Sequence, residues 1–177
     1  MDTLRSRLQK ARPLILDGPT GTALEARGFQ SHPTLWTARA AEVAAETLAA
    51  VHREYLSAGA QLITANTFRT TAFSVENAGI SNAEQTARRW LFESVKLAKK
   101  CAAEFADTRF VAGSLAPLAD CYRPQETPAD AILRREHQRT AAWLCEAGCD
   151  AILVETQGCG REARLAVAAA VIESAGK

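Results

Sequence analysis

The sequence contains no apolar run long enough to cross a bilayer. Its longest, Leu165 to Ile172, falls far short of the roughly 20 residues a spanning helix needs. Net charge is also nearly missing: 21 basic and 20 acidic side chains leave +1. That balance gives no electrostatic case for nucleic acid or a membrane surface as a partner. The opening stretch, Met1 to Pro13, is polar and mixed in sign, without the apolar core of a secretion signal. The expected compartment is therefore cytoplasmic.

An even set of cysteines is lacking as well. The five present, Cys101, Cys121, Cys145, Cys149 and Cys159, argue against a disulfide framework in such a compartment. A zinc site could be drawn through Cys145, Cys149 and Cys159, but the spacing fits none of the usual zinc arrangements. Cys145 also lies in a helical segment, where cysteine usually serves as a small hydrophobe. Hydrolase templates fail too. His32, His52 and His137 form neither HxH nor HExxH, and no serine sits in a GxSxG elbow. His52 and His137 fall within helices, where pairing or exposure is expected, and Arg134 to His137 reads as a solvated helix face.

What is present is an ordinary globular composition: 177 residues, 47% hydrophobic, enough for one domain over residues 1–177 with a real core. Short apolar runs alternate with longer helical patterns. Leu14-Ile15-Leu16 reads as a buried strand entering the turn Asp17-Gly18. Ala44, Leu48, Val51, Tyr55 and Ala58 share one helix face, which Gly59 terminates. Leu62-Ile63-Thr64 is a second strand. Ser81 and Glu84 suggest a capping box for a long helix carrying Ala87, Trp90, Leu91, Val95, Ala98, Ala102 and Phe105. Phe110 to Gly113 is a third strand, and Thr127-Pro128 should open a helix closed by Gly148. Ala151 to Val154 is a fourth strand, followed by a helix from Glu162 to about Ala175 that stops at Gly176.

This βαβαβαβα order, with apolar strands, implies a parallel sheet covered on both faces or closed on itself. A doubly wound sheet would usually carry a glycine-rich loop after its first strand, and Asp17-Gly18-Pro19-Thr20-Gly21 is not GxGxxG. Polar residues at successive strand ends, Asp17, Asn66-Thr67, Ser114 and Glu155-Thr156, suit a (β/α)₈ TIM barrel better. The expected fold class is α/β with only the first four βα units of such a barrel, a half barrel. Asp17 and Glu155 could grip a ligand ammonium or merely cap the turns that follow them. Asn66 and Thr67 could serve a ligand or satisfy loop backbone, and Ser114 reads as structural. Cys159, past the fourth strand, could be a reactive thiol if its pKa were shifted.

Leu16-Asp17-Gly18-Pro19-Thr20-Gly21-Thr22-Ala23-Leu24 followed by Arg27-Gly28 resembles the LDGxxGTxL…RG opening of the homocysteine S-methyltransferase family. Trp36 with Ala38, His52 to Ala60, Thr64 to Phe68, Gly113 to Pro117 and Val154 to Thr156 resemble further segments of that family, in the same order. The resemblance implies a zinc-dependent enzyme that moves a methyl group to the thiol of homocysteine, giving methionine. The donor would be a sulfonium, a betaine or a folate-type compound. It further implies substrate binding by Asp17, Gly18, Asn66, Thr67 and Glu155, with Glu155 on the ammonium. None of the five cysteines matches the family's zinc ligands. The expectation is therefore an N-terminal half only, truncated before its metal site and inactive alone, with self-association through exposed barrel edges. A non-catalytic half barrel binding an amino acid or thiol, or serving in assembly, is the alternative. A different enzyme using Cys159 as nucleophile is a third reading.

Overall fold

The computed structural model describes residues 3–175. After a short N-terminal helix, α1 (Leu4–Leu8), come α2 (Thr20–Glu25), α3 (Ala40–Val43) and α4 (Ala45–Ser57). Strand β1 (Leu62–Ala65) leads through α5 (Ala72–Asn77) into the long α6 (Ala83–Ala102) and back to β2 (Phe110–Leu115). A single 3₁₀ turn precedes α7 (Asp130–Glu146), which returns to β3 (Ala151–Val154) and α8 (Gly160–Ser174).

The sheet is parallel, in the order β1-β2-β3, with Leu62 opposite Phe110 and Ala112 opposite Ala151. Parallel pairing demands a long crossover between neighbours, and α6 and α7 supply it. The central strand explains the apolar composition. Every residue of β2 is buried, whereas all of β3 is only half-buried. Leu91, Val95 and Ala98 of α6 and Leu144 of α7 are fully buried in the main core. A second cluster joins Leu24, Ala40, Leu48 and Val51, locking α2 and α3 onto α4.

Two expectations need correction. The run Leu14 to Leu16 does not become a strand; it makes one isolated parallel bridge, Leu16 to Leu62. Ile15 and Leu16 remain exposed, and so short a run after Pro13 gathers too few ladder bonds to extend. The expected half of a (β/α)₈ TIM barrel is thus replaced by an α/β fold on an open, three-stranded parallel sheet. Closing a barrel requires tilted strands joined edge to edge, and among the described residues the outer edge of β3 has no partner strand. The sheet is not a barrel.

Helix ends also differ. Asn82, in the left-handed region at φ 53, caps α6 without a side-chain bond, so the Ser81–Glu84 box does not form. Helix α7 starts two residues after Pro128, where the carbonyl of Pro128 instead accepts from Arg161. The stop expected at Gly176 lies outside the described residues. Arg134 to His137 is only half solvated. Glu136 and His137 are buried, Glu136 bonded to Arg139 and His137 to Glu162 at 3.0 Å. Spacings of three and four from the buried Leu133 put these two polar residues on the face that meets α5 and α8, which sequence polarity alone cannot show.

His52 lies fully buried on α4 with neither ring nitrogen bonded. Burial lowers its pKa from 6.5 to about 4. Between those values the unfolded chain binds the extra proton, so stability falls as pH drops through that window. The loss attributable to His52 is on the order of 3 kcal/mol, since each tenfold change in proton affinity is worth about 1.4 kcal/mol. Denaturant melts at pH 7 and pH 4.5 should show a steep loss in the wild type and a shallower one in His52→Leu. An identical loss in both would contradict the assignment.

Candidate functional site

A cavity of about 780 Å³ opens where the strands end. Its wall carries three acidic side chains, Asp17, Glu25 and Glu155, and no lysine or arginine among the described residues. Two of these acids are tied to strand ends. Asp17 Oδ2 accepts from the Thr64 amide at 2.8 Å, and its Oδ1 accepts from the Thr64 hydroxyl at 3.0 Å. Asp17 therefore reaches across to β1 and does not cap the turn that follows it. Its pKa is nonetheless raised, first by burial, with the neighbouring negative charge of Glu155 acting in the same direction. The two carboxylates feel each other across the cavity.

Glu155 stands one residue past β3, where the chain bends sharply and Thr156 adopts φ 56. Its Oε1 accepts from the Ser114 hydroxyl at 2.6 Å. Ser114 is itself fixed: its amide donates to Thr67 Oγ1 at 2.9 Å, and that hydroxyl donates back to the Ser114 carbonyl at 3.1 Å. Asn66 lines the cavity but is committed on both ends, donating to the Thr37 carbonyl at 2.8 Å and accepting from its hydroxyl at 3.0 Å. Gly18 is a close approach. A Cβ there would stand 2.9 Å from the Tyr55 ring, so the turn and the α4 tyrosine must fit together. Of the five residues expected to bind substrate, Asp17, Gly18, Asn66 and Glu155 lie on the wall. Thr67 lies buried behind Ser114.

Sequence reasoning passed over the far wall. Trp36, at φ 49, stacks on Phe68 with centroids 5.1 Å apart, and the buried Arg69 guanidinium sits 4.9 Å from the Trp36 ring. Burial lowers the Arg69 pKa, and its guanidinium donates to the carbonyls of Leu118 and Ala119. His32 Nδ1 accepts from the amides of Thr34 and Leu35 at 3.1 and 3.2 Å. A neutral ring so bonded carries its hydrogen on Nε2. The family resemblance includes Trp36 and Phe68 but gives neither a role, and the adjacency of Phe68 and Arg69 to Asn66-Thr67 is the further signal for this wall.

The cysteines do not converge. Among the described residues no group of three His, Cys, Asp or Glu side chains could hold a metal ion, so this donor set does not fit zinc. Cys159 caps α8, and the Glu162 and Arg161 amides draw its pKa down. It is not part of the cavity wall, which removes the geometric basis for a nucleophile acting there.

The sequence profile described as Homocysteine S-methyltransferase matches residues 14–176. The chain belongs to the homocysteine S-methyltransferase family. The match runs along nearly the whole chain, which overturns the expectation of a likeness to an N-terminal half only. The family's Escherichia coli homocysteine S-methyltransferase is 32% identical over 165 residues, covering 86% of this chain and 53% of that protein. The Bacillus subtilis homocysteine S-methyltransferase YbgG is 30% identical, covering 87% and 53%. The chain thus spans about half the length of these relatives. The crystal structure of the metallated form of the E. coli homocysteine methyltransferase MmuM superposes with a TM-score of 0.81 at 31% identity. It covers 96% of this chain and 62% of that one. The oxidized form gives 0.82. No helix among the described residues is long and apolar enough to cross a membrane.

Ionised Asp17 should cost the fold stability. Its raised pKa means the ionised form is disfavoured by folding, so its contribution is most favourable at low pH and is lost as pH rises through the folded value. Asp17→Asn should therefore melt no lower than wild type at pH 8, with any advantage shrinking under acid. A variant clearly less stable at pH 8 than at pH 4, each relative to wild type, would contradict this reading.

Proposed function

We propose that the cavity holds homocysteine by its amino-acid end for transfer of a methyl group to its sulfur, giving methionine. The carrying observation is that Asp17 and Glu155 share a cavity wall with no lysine or arginine among the described residues, and that the charge of Glu155 acts on Asp17. Two carboxylates on one wall repel each other, and a ligand ammonium bonded to both would relieve that repulsion. The backbone at Gly18 would offer a donor to the ligand carboxylate. Asn66, held by Thr37, would give a rigid floor, and Thr67 would support Ser114. The same acidity favours a cationic methyl donor, a sulfonium or a betaine, over an anionic folate-type donor.

In this reading the described residues bind and orient; thiol activation is not among their tasks. A zinc ion would supply thiolate chemistry in the family enzyme, but the cysteines present do not fit it. Cys149 and Cys159 flank β3, and a four-residue strand separates its ends by about 13 Å. That is too far for bonds of about 2.3 Å to one ion. Binding without turnover is the second reading, favoured for residues 3–175 by this scattered donor set. The open edge of β3 and the exposed Val171 and Ile172 of α8 support self-association.

Calorimetry tests the binding claim. Glu155→Ala should weaken homocysteine about ten- to a hundredfold, as expected for a lost charged hydrogen bond, and unchanged affinity would rule the role out. Metal analysis tests the second claim. After dialysis the purified chain should hold well under one zinc per molecule, and a stoichiometric ion that survives would show that the cysteines do converge.

A further inference from the structure

We infer that Ser114 is a positioning residue for amino-group recognition, holding the Glu155 carboxylate in the one orientation that presents Oε2 to the ligand. The inference rests on the proposed binding of the homocysteine ammonium by Glu155. Glu155 follows the edge strand β3, outside any regular element, so its backbone alone leaves the side chain several rotamers. The Ser114 hydroxyl removes that freedom by donating to Oε1 at 2.6 Å.

Ser114 can do this because it is not itself free to move. It lies on the central strand, 2% exposed, with its backbone clasped by the Thr67 hydroxyl on both the amide and the carbonyl. The three residues stand at the ends of three adjacent strands. Thr67 fixes the Ser114 backbone, the Ser114 side chain fixes one oxygen of Glu155, and the other oxygen has only a long 3.5 Å contact from the Thr156 hydroxyl. A carboxylate with one oxygen tethered and one open is pre-organised for a single strong donor such as an ammonium.

The test compares homocysteine with its des-amino analogue, 4-mercaptobutanoate, by calorimetry on the full 177-residue chain under reducing conditions. Wild type should prefer homocysteine clearly. Ser114→Ala should cut that preference about five- to tenfold, through weaker homocysteine binding, while 4-mercaptobutanoate affinity stays put. Ser114→Thr, which keeps the hydroxyl, should recover most of the preference. A loss shared equally by both ligands, or a full preference retained in Ser114→Ala, would overturn the positioning role while leaving Glu155 in place. A wild type without any preference would overturn the assignment of Glu155, and this inference with it. Should Ser114→Ala melt well below wild type, Ser114→Cys, similar in size and a weaker donor, should give an intermediate preference; a wild-type preference would count against the role.

Discussion

Parallel pairing on both sides of β2 is the constraint on which the site depends. It sends the C-terminal ends of all three strands to one side, so the residues that follow them must meet there. Thr67, Ser114 and Glu155 come together because they lie at the same ends of neighbouring strands, Ser114 within β2 opposite Leu153 and the other two just beyond β1 and β3. Asp17 joins them although its own segment forms only a bridge, because its carboxylate takes two hydrogen bonds from Thr64. Had the strands run antiparallel, these groups would be divided between two ends of the sheet.

The arrangement sets local stability against recognition. Asp17 is partly withdrawn from water and lies near a second acid, and both effects oppose its ionisation. The fold does not relieve this with an internal lysine or arginine, although arginines are plentiful elsewhere. Arg53 pairs with Glu104, Arg139 with Glu136, and Arg69 is held by backbone carbonyls behind the aromatic wall. The proposed ligand ammonium would supply the missing positive charge in this acidic cavity. The stacked Trp36 and Phe68 add an apolar flank, suited to the methylene chain of an amino acid or to a sulfonium methyl group.

Much of this was legible in the residues. The alternation of apolar strands with helical segments located β1, β2 and β3 and the helices between them, since buried parallel strands lack polar alternation. Polar residues at strand ends pointed to the cavity wall, where Asp17, Asn66, Ser114 and Glu155 lie. Closure was not legible. Leu14-Ile15-Leu16 looks like a strand by composition, but composition cannot tell a paired ladder from a single bridge, and extrapolating four strands to half a barrel amplified that error. Ser114 was read as structural because a lone serine at a strand end carries no pattern. Its importance comes from Glu155, 41 positions away, and such a pairing appears only in three dimensions. The packing of Arg69 behind Trp36 and Phe68 is hidden for the same reason, as is the burial of Glu136 and His137.

The central claim is that these strand ends form an amino-acid site. Amide chemical-shift mapping tests it most directly, by titrating the ¹⁵N-labelled chain with homocysteine under reducing conditions. The account predicts saturable shifts grouped at Asp17, Gly18, Thr64, Ser114, Glu155 and Thr156, with the His137–Glu162 region unmoved. Shifts absent at millimolar ligand, or centred away from these strand ends, would contradict it.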